Sequence, residues 1–177
     1  MKKFISILLV ALCVVSLTAC GNSDIKATTE PFPDFEGVDF EGNTWNNEMF
    51  KDYDVTIVNF WTNGCGSCIA EMPELEEYYQ NFKDQNINLI AFAASAGDSD
   101  ELRAGAEEIL KEKGVTYTNI IPDIESDFYK NFICKITGFP TTYIVDSEGN
   151  MIGAPLLGVV SKQEDTMMKR IDNIIKE

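Results

Sequence analysis

Two cysteines, Cys65 and Cys68, lie three positions apart where the hydrophobic pattern of the sequence changes. An apolar β-branched run at 55–58 precedes them and predicts a strand, and the apolar residues after them recur at helical spacing: Ile69, Met72, Leu75, Tyr79 and Phe82. Cys65 is therefore predicted at the N-terminus of a helix, where unpaired N–H groups and the helix dipole favour a thiolate over a thiol. Because Cys68 follows one turn later, the pair predicts a reversible switch between dithiol and disulfide.

The same two cysteines have two other interpretations, half of a zinc site and a structural disulfide. Zinc usually takes four Cys or His ligands, but the sequence has no histidine and, in its predicted folded part, only Cys134 as a further cysteine. A structural disulfide is disfavoured because closing so short a loop removes little entropy from the unfolded chain. The prediction is therefore redox chemistry carried by the two cysteines, with no metal and no cofactor.

The N-terminal residues predict export and attachment to a membrane. Residues 1–3 are basic, residues 4–17 are almost wholly apolar, and Leu17-Thr18-Ala19-Cys20 ends the apolar run with small residues. This pattern resembles the bacterial lipoprotein signal, so we expect residues 1–19 to be a signal peptide that is cleaved before an acylated Cys20. The alternative is an uncleaved anchor helix, and both interpretations place the folded part on the extracytoplasmic face of the cell membrane.

The rest of the 177 residues divides into a tether and one domain. Residues 20–34 are polar and lack periodicity, which predicts a flexible tether, and residues 35–177 suit one compact domain. Without residues 1–19 the chain has 12 basic and 29 acidic residues, a net charge of −17. Such a charge argues against nucleic acid as a partner and against electrostatic adhesion to anionic lipids, so the lipid anchor must supply the membrane attachment.

Strand and helix patterns alternate along the domain, which predicts an α/β fold with both sheet faces covered. A hairpin is predicted at 35–45, with its turn near Gly42 and Asn43, and a helical turn at 46–50. The predicted strands are 55–60, 87–94, 117–121, the segment 138–146, which begins with Gly and Pro and continues as a strand, and a hairpin partner at 151–157. The predicted helices are 66–83, kinked at Pro73; one with a capping box at Asp98-Ser99-Asp100-Glu101 and closed by Gly114; one at 125–134; and a last one capped by Ser161 and Glu164.

Several short motifs resemble the thioredoxin-like lipoproteins of the TlpA/ResA type. The matching residues are Asn59-Phe60-Trp61, Cys65-Gly66-Ser67-Cys68, Glu71, Pro73, Gly138-Phe139-Pro140-Thr141-Thr142, Val145-Asp146 and Gly158. They extend over the whole predicted domain. The resemblance implies a thioredoxin-like fold, which is a central mixed β-sheet flanked by helices with an added N-terminal β-hairpin.

The resemblance also implies roles for individual residues. Cys65 would be the attacking thiolate and Cys68 the resolving partner. Pro140 would be a cis-proline that faces the disulfide, while the backbone of Phe139 would pair with a substrate segment in strand fashion. Glu71 lies on the same helix face as Cys68, where a partly buried carboxyl could exchange protons with the thiols. The alternatives are a solvated Glu71 and a Phe139 side chain that only packs in the core.

The function implied by the resemblance is a membrane-tethered thiol-disulfide oxidoreductase. We expect a monomer that reduces disulfides in extracytoplasmic proteins, such as apocytochrome c or a methionine sulfoxide reductase, with electrons from a membrane thiol donor protein. Three alternatives remain: an oxidase that inserts disulfides, a peroxiredoxin-like peroxidase, and a surface lipoprotein that only binds. Thr62 and Cys65 match the peroxiredoxin pair, although the proline expected four residues before Thr62 is Val58.

Three residues depart from the family pattern. Gly64 stands where the family usually has a tryptophan, which removes an aromatic surface beside the active sulfur. Ser67 replaces the usual proline between the cysteines, and both changes can shift the redox potential. Cys134 has no partner in any motif and is predicted to pack in the core, because free cysteine is one of the most buried residue types.

Overall fold

The computed structural model of the chain describes residues 29–176. In this range nine strands form one sheet: β1 Thr29–Pro31, β2 Glu36–Asp39, β3 Thr44–Asn46, β4 Val55–Trp61, β5 Ile87–Ala93, β6 Thr118–Pro122, β7 Thr141–Asp146, β8 Asn150–Ile152 and β9 Leu156–Leu157. Their spatial order is β1-β8-β7-β4-β5-β6-β2-β3, and β9 pairs with β7. Because β4, β5 and β6 are parallel while β7 runs antiparallel to β4, the sheet is mixed.

Four α-helices accompany the sheet: α1 Gly66–Phe82, α2 Asp100–Lys113, α3 Asp127–Asn131 and α4 Glu164–Ile175. Side chains of α1, α2 and α4 form one core cluster with one face of the sheet. The other face carries a second cluster, rich in phenylalanine, which includes α3 and the segment before β2. Both faces of the central strands are thus covered.

Strand β4 shows how the sequence produces this arrangement. All seven of its residues are buried, and they alternate between the two clusters, with Ile57 and Trp61 on one face and Val58 and Phe60 on the other. The Trp61 indole N–H donates to Oδ1 of Asn119 on β6 over 2.9 Å. The strand therefore ends in a fixed position immediately before the cysteine segment.

Most of the predicted elements are present with boundaries shifted by a few residues. The hairpin is β2 and β3. The N-cap of α2 is Ser99, one residue after the predicted Asp98, and its Oγ accepts the Leu102 N–H over 3.2 Å. Helix α2 ends at Lys113, and its C-cap is Gly114, whose φ of 68° lies in the left-handed region that glycine adopts easily. Pro73 lies inside α1, which continues to Phe82.

Two predicted helix boundaries are wrong. A 3-10 turn at Val160–Gln163 precedes α4, and no side chain caps that helix, so Ser161 does not have its predicted role. In place of the predicted helix at 125–134, α3 stops at Asn131 and a separate 3-10 turn follows at Ile133–Lys135. The spacing of apolar residues in such a short turn is the same as at the end of an α-helix. Hydrophobic periodicity in the sequence therefore cannot distinguish the two.

The folded part begins before the expected boundary at residue 35. Strand β1 pairs with β8, and Phe32 is buried among the aromatic rings of the second cluster. None of the helices within residues 29–176 is both long and apolar enough to span a bilayer. The predicted signal peptide and the lipid-attachment residue Cys20 lie outside the described residues.

Candidate active site

Cys65 and Cys68 are joined by a disulfide with an S–S distance of 2.01 Å. Cys65 is the N-cap of α1, and Cys68 lies in the first turn of the same helix. Cys65 is partly exposed, whereas Cys68 is 1% exposed and belongs to the core cluster. A sulfur atom of an incoming protein can therefore reach Cys65 but not Cys68.

The polar groups around Cys65 favour a negative charge on its sulfur. The Cys68 N–H donates to Sγ of Cys65 over 3.2 Å, and Oγ of Ser67 lies 3.5 Å from the same sulfur. At the N-cap the sulfur also lies at the positive end of the α1 dipole. These contacts would strengthen if Cys65 became a thiolate.

Glu71 lies one turn beyond Cys68 on α1 and is 2% exposed, so the alternative of a solvated glutamate is wrong. The Val160 N–H donates to its Oε2 over 2.9 Å, and Nδ2 of Asn59 donates to its Oε1 over 3.3 Å. Burial raises the pKa of Glu71 to about 7, and the charge of Glu74 adds to this, although the two hydrogen bonds oppose the shift. The carboxyl can therefore gain or lose a proton near neutral pH.

Asn59 is a site residue that the sequence analysis did not identify. Its Nδ2 donates both to Glu71 and, over 3.0 Å, to Oγ1 of Thr142. Asn59 on β4 lies directly opposite Thr142 on β7, so this bond crosses between neighbouring strands. The available signal in the sequence was that Asn59 is a single polar residue in the otherwise apolar end of a buried strand, where a polar side chain needs a hydrogen-bond partner. The Val160 N–H, in contrast, is a main-chain group and leaves no signal in the sequence.

The peptide bond between Phe139 and Pro140 is cis. Pro140 precedes Thr141, which lies opposite Phe60, so it stands at the end of the sheet where β4 leads into Cys65. The Pro140 carbonyl accepts the Gly158 N–H over 2.9 Å. Within the described part of the chain, the N–H and carbonyl of Phe139 have no hydrogen-bond partner. The Phe139 side chain is partly buried and packs against both core clusters.

Cys134 does not pack in the core, so that prediction is wrong. Cys134 and its neighbour Ile133 both lie in the 3-10 turn after α3. In this turn Ile133 is buried and Cys134 is exposed. Gly64 is also exposed, and the space that a side chain would occupy there is open. Among residues 29–176, no group of three or more Cys, Asp or Glu side chains is placed to hold a metal ion.

Comparison with known proteins identifies relatives of the chain. Residues 28–154 match the AhpC/TSA family. The thiol-disulfide oxidoreductase ResA of Bacillus thuringiensis subsp. konkukian is 28% identical over 120 residues, which cover 68% of this chain and 64% of that protein. The thiol-disulfide oxidoreductase ResA of Bacillus subtilis (strain 168) is 24% identical over 175 residues, which cover 96% of this chain and 90% of that protein.

A solved structure extends the comparison to the fold. A thiol:disulfide interchange protein from Bacteroides sp. superimposes with a TM-score of 0.64 and 27% identity, covering 81% of this chain and 89% of that one. The chain therefore has a thioredoxin-like α/β fold, as the resemblance predicted, and β2 and β3 form the added N-terminal hairpin.

Proposed function

The chain belongs to the AhpC/TSA family of thioredoxin-like proteins, and from this premise we propose that it is a thiol-disulfide oxidoreductase. The observation that carries the proposal is the disulfide itself, which joins a partly exposed N-cap cysteine to a buried one in the next turn. That asymmetry suits a reaction in which one sulfur meets the substrate and the other closes the cycle.

The reaction runs in two exchanges. The Cys65 thiolate attacks one sulfur of a substrate disulfide, the substrate S–S bond breaks, and the departing sulfur takes up a proton. Cys68 then loses its proton and attacks Sγ of Cys65, which releases the second substrate sulfur as a thiol. The substrate gains two electrons and two protons, and the two cysteines are left as the disulfide seen in the structure.

Glu71 is the proposed acceptor of the Cys68 proton. It lies one helical turn from Cys68 on the same face of α1, in a region closed to solvent. With a pKa of about 7, its carboxylate form is available near neutral pH, and its protonated form is stable enough to return the proton. A buried thiol has few other bases within reach.

Phe139 and Pro140 are proposed to form the substrate-binding edge. The N–H and carbonyl of Phe139, which have no partner among residues 29–176, offer one donor and one acceptor with which an extended peptide can pair. Such main-chain pairing is independent of sequence, so it suits a protein that acts on more than one polypeptide. Gly64 leaves the approach to Cys65 open, which also favours a protein substrate.

The proposed direction is reduction of disulfides in extracytoplasmic proteins, with apocytochrome c and a methionine sulfoxide reductase as candidate substrates. A protein anchored through a lipid on Cys20 at the extracytoplasmic face has no access to cytosolic reductants. Regeneration of the dithiol therefore requires a membrane protein that donates thiol electrons. Intact-mass analysis of protein extracted from membranes tests the anchor: we expect a lipid adduct on Cys20, and an unmodified form would contradict it.

Reduction of insulin disulfides by dithiothreitol tests the activity. The wild-type protein and the Cys134→Ser control should accelerate the reduction equally, because Cys134 lies outside the site. Cys65→Ser should abolish the acceleration. If neither the wild-type protein nor Cys65→Ser changed the rate with dithiothreitol alone, the protein would instead be a binding protein. Rapid consumption of hydrogen peroxide with no effect on insulin would favour the peroxidase.

A further inference from the structure

Asn63, two residues before Cys65, is hydrogen-bonded to the segment that leads into α2. Its main-chain N–H donates to Oγ of Ser95 over 3.3 Å, and the Ser95 hydroxyl donates to Oδ1 of Asn63 over 3.3 Å. Its Nδ2 donates to the main-chain carbonyl of Leu102 in the first turn of α2 over 2.8 Å. Both ends of the Asn63 amide are therefore held by α2 and the loop before it.

Gly105 makes this close contact sterically possible. A Cβ at position 105 would lie 3.2 Å from Nδ2 of Asn63, closer than an ordinary van der Waals contact. Glycine inside a helix is less favourable than alanine. The absence of a side chain at this point on α2 therefore allows the helix to approach Asn63.

Asn63 is also one of the two central residues of the turn that presents Cys65. The Cys65 N–H donates to the Thr62 carbonyl over 3.0 Å, which closes the turn around Asn63 and Gly64. Gly64 has no side chain and is exposed, so it cannot fix the turn. Anchoring of the central part of the turn thus depends on Asn63.

We propose that Asn63 is a positioning residue for Cys65. By holding the turn against α2, it keeps Sγ of Cys65 where the Cys68 N–H and the N-terminus of α1 stabilise a thiolate. The proposal rests on the proposed function of Cys65 as the attacking thiol. It assigns control over how acidic that thiol is to an asparagine in the turn before Cys65, which is held by a helix outside the motif.

The Asn63 contacts act through geometry, because the groups that make them are uncharged. On α1, the titratable groups beside Cys65 are Cys68 and Glu71. On α2, the charged residues next to Leu102 in sequence are Glu101 and Arg103, both exposed and therefore screened by solvent. A change at Asn63 leaves all of these groups in place.

The test is the pH dependence of Cys65 alkylation by iodoacetamide in the reduced full-length chain. A Cys68→Ala background leaves one thiol in the site and retains the main-chain N–H that contacts Sγ. Mass spectrometry of the Cys65 peptide separates its labelling from that of Cys134 and other cysteines. We expect Asn63→Ala to raise the Cys65 pKa. At a fixed pH below that pKa, each increase of half a pKa unit should lower the labelling rate about threefold, because the thiolate fraction falls. Asn81→Ala, an exposed asparagine at the far end of α1, is the matched control.

Two further variants keep the proposal testable if Asn63→Ala does not fold. Ser95→Ala removes the hydroxyl that bonds Asn63, and Gly105→Ala displaces Nδ2 without removing any group. Both should raise the Cys65 pKa by less than Asn63→Ala. A Cys65 pKa equal to that of the Asn81→Ala control in every folded variant would overturn the proposal. Because the assay uses no disulfide substrate, its outcome is independent of whether the wild-type protein reduces insulin.

Discussion

The main-chain N–H of Val160 donates to Oε2 of Glu71 over 2.9 Å, joining residues 89 positions apart in the sequence. The segment that carries Val160 also contacts the cis-proline loop, since the Gly158 N–H donates to the Pro140 carbonyl. One short segment thus touches both the buried carboxyl behind Cys68 and the proposed substrate-binding edge. The protonation of Glu71 and the position of that edge are therefore structurally linked.

Glu71 should make the stability of the protein depend on pH in a characteristic direction. Its pKa is about 7 in the folded protein and 4.5 when unperturbed, so between these values the folded protein keeps a proton that the unfolded chain has lost. Each unit of rising pH in that window then lowers the free energy of unfolding by up to about 1.4 kcal/mol. Glu71→Gln cannot ionise and should lack this component.

Urea denaturation from pH 4 to pH 8 measures the effect. The difference in free energy of unfolding, Glu71→Gln minus wild type, should increase by on the order of 2 to 3 kcal/mol as the pH rises through this window. Glu77→Gln, an exposed residue on the same helix, should follow the wild-type dependence. Parallel curves for wild type and Glu71→Gln would show that Glu71 is not perturbed.

The two cysteines should differ in their ability to hold a substrate. Cys68→Ala leaves the exposed attacking sulfur but removes the one that resolves the intermediate, so mixed disulfides with protein substrates should accumulate. Cys65→Ala should form few or none, because Cys68 is 1% exposed. Non-reducing gels of membrane extracts, followed by mass spectrometry, report both results. The opposite pattern would reverse the assigned roles.

Asp39 should stabilise the N-terminal hairpin without affecting the redox site. Its carboxylate accepts from the N–H groups of Glu41 and Asn43, the Asn43 side chain and the Trp45 indole. Burial alone would raise the pKa of Asp39, but the hydrogen bonds from Trp45, Asn43 and Glu41 outweigh it and lower the pKa. The stabilisation is therefore complete above the unfolded pKa and is lost as pH falls through the folded one.

Asp39→Ala tests this account. The variant should lose about 2 kcal/mol of unfolding free energy at pH 7, because several donors lose a charged partner. The difference should shrink at acidic pH, where the wild-type carboxyl is protonated. Urea denaturation at both pH values provides the measurement, and a constant difference would contradict the account. Activity in the insulin assay should not change.

The sequence predicted the fold well because its strongest signals are local. The apolar run of β4, the helical spacing after Cys68 and the Gly114 cap depend on neighbouring residues and were found, while the N-cap of α2 was placed one residue early. The cis bond before Pro140 came from the family resemblance, since proline alone makes a cis bond only occasionally. The exposure of Cys134 was not predicted, because α3 stops early and a 3-10 turn follows that exposes this cysteine.

The contacts that tune the candidate site were beyond sequence reasoning. The bond from Val160 to Glu71 joins two distant parts of the chain through a main-chain group, which has the same chemistry at every non-proline position. The contact between Asn63 and α2 depends on how closely that helix packs, which periodicity does not specify. Sequence patterns predicted which residues react, and the packing of the elements determines what surrounds those residues.

The midpoint potential of the Cys65–Cys68 pair tests the central claim most directly. Titration of the Cys134→Ser protein in glutathione or dithiothreitol buffers, followed by trapping of free thiols, gives the potential. A reductase predicts one reversible two-electron transition near about −270 mV, as for thioredoxin. A transition near about −120 mV, as for a strong oxidant, or no exchange between the two cysteines would contradict the proposed function.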